Sequence, residues 1–153
     1  MSLYDSYETD VTLEENGVWI ALTNDMEVKV AALGNKQHLQ VMEKMFAPYK
    51  NQRRRNALDP KIEEDIHTKA IAKAVLLDWR GEGFKDRDGN ALPYSFDNAY
   101  KLLTDESLKR FKADIIFLAK EAETFKQQDT EEAVKNSEKS SSGTSATTKR
   151  SKS

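Results

Sequence analysis

Two histidines, a pair of acids just before one of them, an Asp-rich turn and a run of arginines are the side chains best suited to chemistry. Glu63 and Glu64 precede His67 by four and three positions, a spacing that puts ligands on one helical face. No third ligand is evident and His38 stands alone, so both histidines read as surface residues. In DRDGN, Gly89 as position six of a calcium loop puts Asp86 and Asp88 at positions three and five. Position one is then Phe84 and position twelve Ser95, neither of which carries the needed carboxylate. A tight turn on Asp88-Gly89 fits better, since glycine tolerates positive φ. Cysteine is absent, which excludes disulfides, thiolate metal sites and a cysteine nucleophile. The serines cluster near the end of the chain and lack the elbow that exposes a nucleophile. GEGF has neither the spacing nor the lysine of a phosphate cradle. The expectation is a protein without metal, cofactor or enzymatic activity.

Arg53, Arg54 and Arg55 with Lys50, and the later Lys149, Arg150 and Lys152, are positioned to touch phosphates. In a chain of net charge -2 they predict weak, salt-sensitive binding. A small DNA-binding accessory protein is therefore an alternative function. Trp79, Phe84 and Tyr94 flank a Gly-broken connection and can pack beneath it as a satellite core. They can also form a docking surface, because aromatics dominate interface hot spots.

The elements that must position these residues follow from periodicity. GVWIALTNDMEVKVAAL reads as a β-hairpin, with Val28, Val30 and Ala32 alternating and Thr23-Asn24-Asp25 at the turn. Leu39, Met42, Met45 and Phe46 form one helical stripe that opens after Gly34-Asn35 and ends before Pro48. RRRNALD is a polar link. Asp59 caps and Pro60 starts the strongest helix, with Ile62, Ile66, Ala70, Ala74 and Leu77 on its stripe and Trp79 at its end. Ser95 caps a short helix bearing Phe96, Ala99, Tyr100 and Leu103. Thr104 or Asp105 caps a final helix carrying Leu108, Phe111, Ile115, Leu118, Ala122 and Phe125 to near Gln128. The fold class expected is mainly α: about four helices, a hairpin near the start and no internal repeat.

At 153 residues and a mean hydropathy of -0.75, the chain suits one modest domain, placed at residues 1–128. Residues 129–153, rich in Ser, Thr and Lys, bury too little apolar surface to offset ordering entropy and are expected to be disordered. No apolar run reaches the ~18–20 residues of a membrane span, so a location in the cytoplasm is expected. Charge is uneven. Residues 1–28 hold seven acids and no Lys or Arg, whereas residues 36–55 hold Lys36, Lys44, Lys50 and the three arginines against Glu43 alone. The two blocks are either solvated or attract one another, within one fold or between copies.

The ordered set Asp78-Trp79-Arg80-Gly81, the Asp-rich turn closing on Gly89, Pro93-Tyr94-Ser95, Ala99, Leu102-Leu103 and a final helix ending near Phe125 resembles the tail assembly chaperones of long-tailed bacteriophages. The likeness spans residues ~18–128 and includes Gly34-Asn35 after a hairpin. One departure is the longer gap between the Trp-Arg-Gly turn and the Asp-rich turn, where Glu82-Gly83-Phe84-Lys85 intervene. The resemblance implies a non-enzymatic protein of the host cytoplasm, absent from the virion, that binds the tape measure protein and helps recruit tail tube subunits. A frameshifted longer product engages the tube protein in many such systems, and self-assembly along a long partner is expected. The docking candidates are Trp79, Arg80, Phe84 and Tyr94, with Met42 and Met45 (the latter because methionine surfaces adapt to varied partners). A head–tail connector component is a further alternative.

Overall fold

Ser2 and Asp10 each cap the short helix that follows. In the computed structural model, which describes residues 1–126, Ser2 and Asp5 close a capping box on α1 (Leu3–Tyr7). Asp10 accepts from the amides of Thr12 and Leu13 at the start of α2 (Val11–Asn16). The hairpin follows as β1 (Val18–Thr23) and β2 (Met26–Val30), turning on Asn24-Asp25. Asn35 caps α3 (Lys36–Phe46), and a 3₁₀ turn at Ala47–Tyr49 leads into α4 (Lys50–Arg54). Asp59 caps α5 (Pro60–Ala74), with Pro60 in its first turn, and β3 (Leu76–Arg80) follows at once. Ser95 caps α6 (Phe96–Thr104). A 3₁₀ turn at Glu106–Leu108 precedes α7 (Lys109–Lys120), and another at Ala122–Phe125 ends the described chain. The fold is mainly α with a small antiparallel sheet. The segment 129–153, expected to be disordered, lies outside the described residues.

The sheet runs β1-β2-β3, so β2 is its central strand. Glu27 pairs with Arg80, Val28 with Trp79 and Lys29 with Asp78. One face carries Val28, Val30 and Trp79 into a core shared with Ile71, Val75 and Leu76, Ala99 and Leu103 of α6, and Ile115 and Ala119 of α7. On the other side of α5, α3 packs through Phe46 and His38. Asn35 joins the start of α3 to the end of α5: its Nδ2 donates to Ala32 and Ala74 carbonyls at 2.7 and 3.0 Å. Its Oδ1 accepts from the His38 amide at 3.0 Å, so this buried polar side chain is satisfied at both ends.

Five expectations are corrected. The strongest helix stops at Ala74, and Leu76–Arg80 is a strand, because β2 buries Val28 and Val30 fully and needs a partner along its second edge. Val75 has left helical geometry (φ -120°, ψ -55°) and gives its carbonyl to the Ala31 amide at 2.8 Å. The final helix ends at Lys120, because Glu121 is extended and Ala119 accepts from the Leu33 amide at 2.9 Å. Ala122 is consequently exposed, while Phe125 turns back into the fold. Helix resumes beyond Pro48 as α4, which takes in Arg53 and Arg54 at the start of the polar link. Leu39 falls off the buried stripe of α3 and is 57% exposed. His38 takes the buried position, its Nδ1 accepting from the Gly34 amide at 2.9 Å.

Candidate docking site

The connection from β3 to α6 is held by three aromatic rings. Trp79 stacks on Phe84 at 4.9 Å between centroids and meets Tyr94 edge-on at 5.0 Å. Phe84 in turn meets the edge of Phe111 on α7 at 6.5 Å. The Trp79 indole donates to the Leu92 carbonyl at 2.8 Å, and the Leu92 amide donates to the Phe84 carbonyl at 2.9 Å. The Tyr94 hydroxyl donates towards the Leu76 carbonyl at 2.7 Å, with Ala72 further off at 3.3 Å. Burial, with Asp78 nearby, pushes the Tyr94 phenol up, so it remains a donor through the neutral range.

Glycine is required where this connection leaves the sheet. Gly81 has φ +118°, and a Cβ there would lie 2.2 Å from the Asp25 carbonyl oxygen. The hairpin turn and the loop are therefore in backbone contact, reinforced by the Gly83 amide donating to Asp25 at 2.9 Å. Farther along, Asp86 accepts from the amides of Asp88 and Asn90 at 2.9 Å each, and Gly89 turns the chain at φ +84°. This is the tight turn expected from DRDGN, with its first carboxylate spent on the backbone.

Beside this pinned loop is an open groove of about 600 Å³, within the ~300–1,000 Å³ of ligand-sized clefts. Leu92 and Pro93 from the loop, Leu102 from α6 and Leu108 from the turn before α7 give it apolar walls. Lys85 and Lys101 add positive charge. Arg87 is tied across to α6–α7, donating to Ser107 Oγ at 3.1 Å and Asp105 at 3.4 Å. Hydrogen bonds from the Ser107 hydroxyl and amide, then Arg87, hold the Asp105 carboxyl below the usual carboxylate range. The groove thus offers apolar contact with charge of both signs at its border, a surface suited to an amphipathic segment.

The six candidate residues sit in different places. Trp79 and Phe84 are buried and shape the groove from behind. Tyr94 is half-buried. Arg80 is exposed on the opposite sheet face, its Nε donating to Glu27 at 2.7 Å and its guanidinium carbon 3.9 Å from the Trp19 ring centre. That pairing lowers the Glu27 pKa. Met42 and Met45 are half-buried on α3, and Met42 lines a second groove with Leu39, Phe46 and Arg53. The structure therefore joins Trp79, Phe84 and Tyr94 and separates them from Arg80 and the methionines. From sequence, Leu102 and Leu108 are legible as helix residues and not as groove walls, and neither Leu92 nor Trp19 stands out. The groove leucines come together only once the loop is folded.

The remaining polar cluster ties helices together. Tyr100 donates to Asp65, whose other oxygen meets Lys69 at 3.0 Å, and Lys112 donates to Thr68 at 2.9 Å. Hydrogen bonding to Tyr100, then to Lys69, lowers the Asp65 pKa, while the bond to Asp65, with burial, raises that of Tyr100. Among the described residues, no group of three or more His, Cys, Asp or Glu is arranged to hold a metal ion, and no helix is long and apolar enough to cross a membrane.

Among known proteins, the family model described as YdaY prophage protein matches residues 33–136. No curated protein and no solved structure matches the chain. The family match includes α3, α5, the pinned loop, the groove and α7, and leaves out α1, α2 and the hairpin. It covers about two thirds of the sequence, and the chain belongs to the YdaY prophage protein family, a phage-derived lineage.

Proposed function

We propose that this prophage protein is a tail assembly chaperone that takes amphipathic segments of the tape measure protein into the Leu92–Leu102–Leu108 groove. The observation that carries the reading is that groove: open, apolar-walled, bordered by both signs of charge and backed by a stacked aromatic platform. A long helical partner offers repeated apolar stripes, and covering them limits its self-association. Phage lineage supports the context. The role is non-enzymatic, exercised in the host cytoplasm and ended before the virion is complete. Tail tube subunits are recruited at the same stage, through a frameshifted longer product.

The test is affinity capture of tagged protein from cells in which the phage genes are expressed, read by mass spectrometry. Wild type is expected to recover the tape measure protein with tube protein beside it. Leu102→Asp and Leu108→Asp, shown by circular dichroism to be folded, are expected to lose it. Capture of neither protein where both are abundant overturns the reading. The frameshift has its own check, a slippery heptamer with an overlapping open frame at the end of the coding sequence.

The alternatives predict other results. A DNA-binding accessory protein gives gel shifts that weaken steeply with salt and with replacement of Arg53–Arg55. A head–tail connector component is retained in purified particles.

A further inference from the structure

The first eight residues are exposed throughout, yet they are not polar filler. Leu3, Tyr4 and Tyr7 fall at i, i+1 and i+4 of α1 and are 68%, 70% and 73% exposed. The capping box holds this turn of helix without help from the body of the protein, its two bonds both 3.1 Å. From Thr9 onward the chain is tied down: Thr9 Oγ1 donates to Glu14 at 2.9 Å, and the Asp10 amide donates to the Phe125 carbonyl at 2.8 Å. Residues 1–8 thus form an arm with an apolar, aromatic face, a fixed root and the acids Asp5 and Glu8.

Its complement lies on α3 and α4. A groove of about 450 Å³ is walled by Leu39, Met42 and Phe46, with Leu39 exposed at its edge. Lys36 and Arg53 also line it, with Glu43 as its one acid, and Arg53 stands over the Phe46 ring at 3.8 Å. Lys44, Lys50, Arg54 and Arg55 lie on the same two helices or directly after them. Among the described residues none of these cations forms an ion pair, and of the acids before Val28 only Glu27 does, with Arg80. Among the described residues, the strong charge asymmetry of the sequence is therefore not discharged within one copy.

We infer that the arm of one copy docks in the α3–α4 groove of a second copy, Leu3, Tyr4 and Tyr7 covering Leu39 and Met42 while Asp5 and Glu8 face the Lys36–Arg53 cations. The occupant is a second copy because the same chain carries both halves, matched in apolarity and opposite in charge, and neither is covered among the described residues. Arm exchange of this kind makes assembly self-complementary and salt-sensitive. It goes beyond the proposed chaperone role and does not depend on it.

The experiment is sedimentation equilibrium of the full chain over a range of concentrations. Wild type is expected to self-associate, more weakly at high salt. Tyr4→Ser/Tyr7→Ser, on an arm that buries nothing, and Leu39→Glu, at an exposed position, are each expected to weaken association by about tenfold or more. Mixing the two variants restores one arm and one groove, and is expected to recover hetero-association that neither shows alone. A wild type that stays monomeric at every concentration overturns the proposal, whether its arm is free or folded onto its own groove. Association untouched by both variants, or a mixture no stronger than its parts, overturns it as well.

Discussion

The Trp79 indole N–H donates to the carbonyl of Leu92, 2.8 Å away and thirteen residues later in the chain. This bond and the Phe84 stack make the loop a fixed wall of the groove. Trp79→Phe keeps an aromatic ring but leaves that carbonyl without its donor. It is expected to cost about 1–2 kcal/mol in urea unfolding. Hydrogen exchange at the Leu92 amide should quicken by more than the global loss accounts for, because the opening is local.

Gly81 and Gly89 both have positive φ, but only Gly81 is crowded. Gly89→Ala incurs backbone strain alone, about 1–2 kcal/mol. Gly81→Ala adds a collision with the Asp25 carbonyl, so a loss of about 3 kcal/mol or more is expected. Thermal unfolding of the two variants side by side checks the ranking.

Burial, and then the neighbouring His67, lowers the His38 pKa. The unfolded chain therefore binds a proton near its ordinary value of about 6.5 before the folded one does. Stability from this residue is complete above that pH and declines as pH falls through it, levelling out below the lowered folded pKa. His38→Leu removes that acid dependence and orphans the Gly34 amide, costing about 1–2 kcal/mol at pH 8. Urea titrations from pH 5 to 8 measure both effects.

Asp65 has the same sign in a more acidic window. Its folded pKa is lowered by Tyr100 and Lys69, so its contribution is present above the ordinary carboxylate range and is lost as pH falls through the lowered value. Tyr100→Phe removes the leading cause. The Asp65 carboxyl should then titrate higher by NMR, with a stability change under about 1 kcal/mol because the pair is partly solvated.

Local signals were legible where a side chain acts on its own neighbours. Asn35, Asp59 and Ser95 cap the helices their positions announce, and Asp88-Gly89 turns the chain. The stacking of Trp79, Phe84 and Tyr94 was readable as a pinned connection. What escaped was long-range. Leu76–Arg80 continues the apolar spacing of α5, and only the unpaired edge of β2 turns it into a strand. Leu39 and His38 exchange places for a similar reason, because Asn35 fixes the rotation of α3 and the Gly34 amide claims the imidazole. The groove walls come from three separated segments, and no periodicity links Leu92 to Leu108.

The sheet also sets an order of events on the ribosome. Its hairpin is complete once Val30 has been made, but the Glu27–Arg80 contact must wait for a residue fifty-three positions later. At ~5–20 residues per second the nascent chain spends about 3–10 seconds with the second edge of β2 unpaired. Val28 and Val30 are uncovered for that interval, and Ile115 arrives later still. The Arg80 guanidinium reaches Trp19 only when β3 docks. Trp19 fluorescence on stalled chains of increasing length would therefore time the closure of the sheet during synthesis.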